Sequence, residues 1–267
     1  MITMKEQKLG GGFRQTTRMG AKHLVIFGYS GTLSLESVLF AEPERLEKEL
    51  KLSGLHGLGV ASPDVFWNKI VDFTWERGST TGIGYKRLLT ERVAALQSEI
   101  YDPALGEAIA AAAGCFVDRY LEASRIHEAW HPLLRRIAVD AGMSIVVATD
   151  HYAEATREIV GHLKTIGIKA RAALEAGSAA FLVANSADLG VPKTDRRFWE
   201  TVRTAPTLSE VRCVLLIDDF GFNEQAWDSY GARRKVEDRE VKPRLFSARS
   251  YGLRWRRCRS CWTTRAP

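Results

Sequence analysis

Four short runs of apolar residues predict the strands of a sheet. They lie at 23–28, 144–149, 180–183 and 213–217. Their apolar positions are nearly continuous rather than alternating, which is typical of parallel strands buried on both faces. A helical pattern over 153–166 follows the second run and ends before Gly167. We therefore predict an α/β fold, built on a Rossmann-like, doubly wound parallel sheet with right-handed crossovers.

The segment between the first and second strands has a helical pattern with few strand signals. Helices are predicted over 36–52, 63–75, 84–99, 104–124 and 128–141, with glycine and proline between most of them. Because no strand interrupts these helices, we predict an inserted, all-helical cap subdomain over 35–141. The α/β core is then formed by 21–34 and 142–246.

The two ends of the chain differ from the rest in composition. Residues 1–20 are polar, without the apolar core of a signal peptide, and we predict a disordered leader. A last short strand is predicted over 241–246. Residues 247–267 are rich in Arg and Trp and follow no period. We predict that they form a disordered basic tail, or that they are translated outside their natural frame.

Charge and hydropathy narrow the classes of partner. The net charge is +6, but residues 242–267 carry eight Lys or Arg and no acid, and residues 1–22 carry five more against Glu6. The body of the chain is therefore mildly acidic, which argues against a nucleic-acid-binding face on the fold. No run approaches the roughly 18 consecutive apolar residues that span a bilayer. We expect a cytoplasmic protein without a membrane partner, and a nucleic-acid partner is not favoured.

Residues suited to binding phosphate or metal follow each predicted strand. In an open parallel sheet the active site lies at the carboxyl ends of the strands. These ends carry Gly28 and Ser30, then Thr149 and Asp150, a loop with Lys193, and finally Asp218 and Asp219. Each residue has an ordinary alternative, since Thr often caps helices, Lys is usually solvated and Asp-Asp is common in turns. Because all of these residues are predicted to lie at the same edge of the sheet, we take them together as the candidate site.

The sequence around these residues resembles the four motifs of the haloacid dehalogenase (HAD) superfamily, over about 23–231. Residues 24–33 resemble the motif I pattern Asp-x-(Asp or other)-Gly-Thr-Leu, with glycine in place of the first aspartate. Residues 146–149 resemble motif II, 186–195 the Ser-x-x-x-Gly-x-x-Lys-Pro-Asp form of motif III, and 216–223 motif IV. The helical insert resembles the C1-type cap of that family.

The resemblance implies a nucleophile and a metal site that this chain has partly lost. In the family, the first aspartate of motif I is both the nucleophile and a Mg²⁺ ligand, and Gly28 can be neither. By the same resemblance, the backbone carbonyl of Ser30 and the carboxylates of Asp218 and Asp219 would bind Mg²⁺. Without the aspartate we expect the affinity for Mg²⁺ to be weakened.

The resemblance also implies substrate-binding and acid–base roles. Lys193 would hold the nucleophile and the phosphoryl group, and Thr149 and Asp150 would contact the substrate. Ser30 stands where the phosphatase branch of the family has an acid for the leaving group. Ser30 is not favoured as a substitute nucleophile, because no His lies close to it in sequence to activate it.

The sequence therefore predicts a HAD-type hydrolase scaffold for Mg²⁺-assisted phosphoryl transfer, phosphatase-like or phosphonatase/dehalogenase-like, on a small-molecule anion. We expect severely impaired activity because Gly28 replaces the nucleophile. A non-catalytic pseudoenzyme that binds a phosphorylated small molecule is the alternative, and a nucleic-acid-associated protein acting through the basic tail ranks third. Five aromatic residues of the cap are expected to belong mostly to its core: Phe66, Trp67, Phe73, Trp75 and Tyr85.

Overall fold

A parallel sheet forms the centre of the fold. The computed structural model describes residues 23–97, 103–177, 179, 181–205, 208, 211, 213–220, 222–223 and 256–257. The strands are β1 (His23–Gly28), β2 (Met143–Thr149), β3 (Ala170–Ala172), β4 (Phe181–Asn185), β5 (Cys213–Ile217) and β6 (Arg256–Arg257). They form a six-stranded sheet in the order β3-β4-β2-β1-β5-β6, with parallel pairing throughout. The predicted α/β class is confirmed.

Helices occupy most of the chain between β1 and β2 and the connections between later strands. They are α1 (Glu36–Leu39), α2 (Pro43–Ser53), α3 (Pro63–Val65), α4 (Asp72–Ser79), α5 (Tyr85–Leu96), α6 (Pro103–Ala123), α7 (His131–Ala138), α8 (Glu154–Thr165), α9 (Ser186–Leu189) and α10 (Arg196–Arg203). A π-helical segment, Phe66–Val71, joins α3 to α4, and 3₁₀ turns lie at Leu55–Leu58 and Glu128–Trp130. Within the described ranges, no helix has the length and apolar character needed to cross a membrane.

The strands match their predicted positions more closely than the helices do. β1 and β5 have their predicted bounds, and β2 and β4 differ only at their ends. β3 escapes prediction because its sequence, Ala-Arg-Ala, contains no apolar run. The single helix predicted over 36–52 is wrong: two helices replace it, because Pro43 starts α2 and holds Glu42 outside the helical region, at ψ 135°. The strand predicted over 241–246, the leader and all of the tail except β6 lie outside the described residues.

The sheet is buried on both faces, in agreement with its continuous apolar strands. One face packs against α7 and α8 through a cluster that includes Val25, Phe27, Ile145, Val147, Leu134 and Leu163. The other face packs against α10 through Leu24, Ile26, Val146, Ala148, Phe198 and Val202. Because successive side chains on a strand point to opposite faces, the same strands supply both clusters. The sheet is therefore doubly wound.

The helices that follow β1 have a hydrophobic core of their own. It joins α2, the π-helical segment, α5 and α6, and its fully buried members include Leu46, Leu50, Ile70, Leu89, Val93 and Phe116. By contrast, Leu134 and Ile137 of α7 belong to the core of the sheet. The helices with a separate core, which we call the helical unit, therefore run from α2 to α6, within the span predicted for the cap.

A carboxylate from the α/β layer connects it to the helical unit. Glu154, the first residue of α8, accepts hydrogen bonds from the backbone N–H groups of Tyr85 at 2.7 Å and Lys86 at 3.2 Å. The first N–H groups of a helix have no partner within it, and a negative charge there is favourable. Gly84 has φ +88°, and a Cβ on it would lie 2.9 Å from Glu154 Oε1, so this close approach requires glycine.

Replacing Glu154 by Ala is expected to lower the free energy of unfolding by about 1–2 kcal/mol, because α5 loses both its capping acceptor and a favourable charge. Urea unfolding followed by circular dichroism measures the change. The matched control is Glu158→Ala, since Glu158 lies on the same helix and pairs with Arg157 at the surface, at 3.0 Å. Equal stability of the two variants would contradict this role of Glu154.

Candidate active site

The carboxyl ends of the central strands open into a cavity of about 210 Å³ between the sheet and the helical unit. Its lining includes Ser30, Thr149, Asp150, Lys193, Asp218 and Asp219. These residues meet because β1 pairs with both β2 and β5, with Gly28 opposite Ala148 and Phe27 opposite Ile217. The structure therefore brings the sequence-predicted site residues to one edge of the sheet.

Gly28 lies directly against the Asp218 carboxylate. A Cβ on Gly28 would lie 2.6 Å from Asp218 Oδ2 and 3.0 Å from Thr32 Oγ1. Lys193 Nζ approaches the same Asp218 oxygen at 3.4 Å. The Asp218 carboxylate thus occupies the space that a side chain at position 28 would need, and it takes the lysine as its ion-pair partner.

The backbone of Lys193 is held by hydrogen bonds at both its N–H and its carbonyl group. The backbone N–H of Lys193 donates to Asp150 Oδ1 at 2.7 Å, and its carbonyl accepts from Trp199 Nε1 at 2.7 Å. Burial by itself would lower the pKa of the Lys193 ammonium, but the carboxylates of Asp218, Asp150 and Asp219 outweigh burial and hold the pKa above its usual value. Lys193 therefore stays protonated at neutral pH and can bind an anion.

Asp219 is fixed by the turn that follows β1. Its backbone N–H donates to Thr32 Oγ1 at 2.9 Å, and its Oδ2 accepts from the backbone N–H of Asn223 at 3.1 Å. Asn223 Nδ2 donates to the Gly31 carbonyl at 2.7 Å. Gly31 has φ +75°, and a Cβ on it would overlap the Asp219 carboxylate, so only glycine fits. Thr32 and Asn223 are positioning residues that the sequence did not single out.

His151 is another residue of the cavity that the sequence did not single out. Its Nδ1 accepts from the backbone N–H of Tyr152 at 2.8 Å, and its Nε2 lies 2.9 Å from Tyr120 Oη. Burial lowers the pKa of His151 to about 4, so the ring is neutral at pH 7. Both ring nitrogens of His151 are therefore engaged within the protein. The Tyr120 partner is 31 positions away, so no local pattern could have indicated it.

The residues present fit a divalent cation only in part. Ser30, Asp218 and Asp219 share the cavity. However, Asp218 Oδ1 accepts from the Phe220 N–H at 2.8 Å and Oδ2 faces Lys193. In the described part of the chain, no three His, Cys, Asp or Glu side chains converge on a common point. As they stand, these residues therefore lack the ligand set for a strong Mg²⁺ site.

Four aromatic residues assigned to the core of the cap also line the cavity, namely Phe66, Trp67, Trp75 and Tyr85. Phe66 and Tyr85 are at the same time buried members of the helical core. Phe73 is the exception: it is 62% exposed, and the guanidinium of Arg92 lies 3.8 Å from its ring centroid. The aromatic residues of the helical unit therefore form a wall of the site as much as a core.

Comparisons with known proteins give structural similarities of low sequence identity. Neither a protein-family model nor a curated protein matches the chain. A 2-haloacid dehalogenase from Pseudomonas syringae pv. Tomato DC3000 is 21% identical and covers 78% of this chain and 90% of its own, with a TM-score of 0.46. A protein described as the putative HAD-hydrolase YfnB of Bacillus subtilis, bound to magnesium, is 14% identical. The similarity covers 74% of this chain and 80% of that protein, with a TM-score of 0.43. The L-2-haloacid dehalogenase of Xanthobacter autotrophicus, with chloropropionic acid covalently bound, is 14% identical. The similarity covers 80% of this chain and 74% of that enzyme, with a TM-score of 0.42.

Proposed function

We propose that the chain is a HAD-type hydrolase scaffold, built for displacement on a small-molecule anion and severely impaired as it stands. The observation that carries the proposal is the approach of Gly28, Asp218 and Lys193, at the point where the resemblance expects a nucleophile, a carboxylate and a cation. Thr149, a buried hydroxyl at the end of β2, lines the same cavity. Cation and hydroxyl together suit a phosphoryl or carboxylate oxygen.

The impairment follows from position 28. Glycine has no side chain that could attack the substrate, and loss of a covalent nucleophile typically costs several orders of magnitude in rate. Asp218, which lies beside Gly28, keeps Lys193 occupied. The scaffold is of phosphatase or phosphonatase/dehalogenase type, with Mg²⁺ as the cofactor of a form that carries an aspartate at position 28.

We also propose a small molecule as the partner, because the helical unit lines one side of the cavity and its volume of about 210 Å³ suits a small molecule. Neither a membrane nor a nucleic acid is part of this proposal, and a cytoplasmic location fits it. The mildly acidic body of the chain supports the exclusion of a nucleic acid.

The second candidate is a binding protein without catalysis. It is favoured by the Asp218–Lys193 ion pair, which holds the site together in the absence of a nucleophile. Such a protein would bind a phosphorylated small molecule in the cavity and release it unchanged. Turnover separates the two candidates: a Gly28→Asp variant becomes active only if the scaffold is a hydrolase.

Both candidates require the Lys193 ammonium for anion binding. Lys193→Met is expected to weaken the binding of inorganic phosphate, measured by isothermal titration calorimetry, by about 10- to 100-fold, because a charge-assisted hydrogen bond is lost. Lys193→Arg should retain part of the affinity. The matched control is Lys169→Met, since Lys169 is exposed. Unchanged phosphate affinity in Lys193→Met would contradict both candidates.

A further inference from the structure

The lining of the cavity has two chemically different parts. Its charged residues come from the loops that follow the strands, whereas most of its aromatic residues come from the helical unit. The aromatic part includes Trp67, Trp75, Tyr85, Phe116, Tyr120 and Tyr152. A phosphate or carboxylate group needs only the charged part, so the aromatic part is free to select the remainder of the ligand.

The aromatic part of the lining, which we call the aromatic wall, is held in place by contacts within the protein. The rings of Tyr85 and Tyr152 are stacked with centroids 3.9 Å apart, and Trp75 packs edge-on against Tyr152 at 5.4 Å. The Tyr152 hydroxyl lies 3.2 Å from Thr74 Oγ1, which anchors the outer end of that ring. A preformed wall loses little conformational entropy on binding, and aromatic faces and edges favour another aromatic group.

One polar atom of the aromatic part has no hydrogen-bond partner among the described residues. It is the indole Nε1 of Trp67, which is buried. Trp67 lines the cavity and packs edge-on against Phe66 at 5.4 Å. Buried indole N–H groups usually find an acceptor, because leaving one unsatisfied is costly. The same burial leaves no room for a ligand acceptor at this N–H, so Trp67 contributes its ring to the wall of the cavity and not its donor.

The size of the cavity limits the ligand. An apolar cavity of about 150 Å³ holds benzene, and this cavity has about 210 Å³. One six-membered ring with a compact charged group therefore fits, whereas a nucleotide or a two-ring compound would need the cavity to widen.

We propose that the site takes a monocyclic aromatic anion, with the ring against the aromatic wall. The charged group of the ligand lies at Lys193, and this half of the inference rests on the proposed function. The aromatic half stands on the aromatic wall alone.

The test compares ligands that share a head group. Isothermal titration calorimetry with the unmodified chain measures phenyl phosphate, 4-nitrophenyl phosphate and glycerol 3-phosphate. We expect both aromatic esters to bind about tenfold more tightly than glycerol 3-phosphate, or better, because the ring is removed from water. Trp67→Ala, which removes one ring from the wall, should weaken both aromatic esters by about three- to tenfold and leave glycerol 3-phosphate, the matched control ligand, nearly unchanged.

The outcomes separate this inference from the proposed function. Equal affinity for glycerol 3-phosphate and the aromatic esters would overturn the inference and leave the proposed function standing. Binding of nitrobenzene that is weakened in Trp67→Ala, with no affinity for any phosphate, would support the aromatic site and count against the proposed function. Absence of binding by every aromatic compound would overturn the inference, and this comparison in the unmodified chain does not depend on the folding of the variant.

Discussion

Replacing Gly28 by Asp is expected to raise the rate of hydrolysis of a small phosphate ester or haloacid by about 10³-fold or more, because the variant regains a covalent nucleophile. The new Cβ would lie 2.6 Å from Asp218 Oδ2, so the Asp218 carboxylate must rotate away. Because that carboxylate is the end of a flexible side chain, the movement is feasible. The measurement is turnover of a panel of phosphate esters and haloacids, with and without Mg²⁺.

Two variants control this experiment. Gly28→Asn has nearly the same size and no carboxylate, so it should stay inactive. Lys193→Met in the Gly28→Asp background should lose most of the regained activity, which excludes a contaminating enzyme. A folded Gly28→Asp variant that turns over no compound of the panel would contradict the hydrolase proposal and favour the binding protein.

The same substitution should create a dependence on Mg²⁺. The introduced carboxylate would be the third beside those of Asp218 and Asp219, and three carboxylates without a cation repel one another. We therefore expect Mg²⁺ to raise the melting temperature of Gly28→Asp clearly and that of Gly28→Asn little. Equal shifts in the two variants would show that position 28 contributes nothing to metal binding.

Acidification is expected to destabilise the protein between pH 6.5 and pH 4, by up to about 3 kcal/mol from His151. Burial lowers the pKa of His151 from 6.5 to about 4 in the folded state. Between pH 6.5 and pH 4, His151 binds a proton in the unfolded chain and stays neutral in the folded chain. The free energy of unfolding therefore falls as the pH falls. Above pH 6.5 both states are neutral and the effect vanishes. His162, whose pKa is also lowered by burial, adds to the loss with the same sign.

Urea unfolding at pH 7.5 and pH 5 measures this dependence. His151→Gln can still accept from the Tyr152 N–H and donate to Tyr120 Oη, but it cannot titrate, so the loss of stability between the two pH values should shrink. His56→Gln is the control, since His56 is exposed. A pH dependence that is identical in the unmodified chain and His151→Gln would show that His151 is protonated or accessible in the folded protein.

Much of the fold could be read from local sequence. Continuous apolar runs mark β1, β2, β4 and β5 because a strand buried on both faces needs apolar residues at every position. Once parallel strands are predicted, their carboxyl ends must share an edge. The neighbourhood of Gly28, Thr149 and Asp218 therefore follows from the strands alone.

The sequence by itself determined which residues lie at that edge, because strand periodicity and parallel topology act through neighbours in the chain and leave few alternatives. The tertiary structure decided what the side chains do there. Asp218 fills the space beside Gly28, His151 pairs with Tyr120, and the Trp67 N–H is left without an acceptor among the described residues. Each of these depends on how distant segments pack, and packing is set by the shape and volume of the whole core rather than by any local pattern.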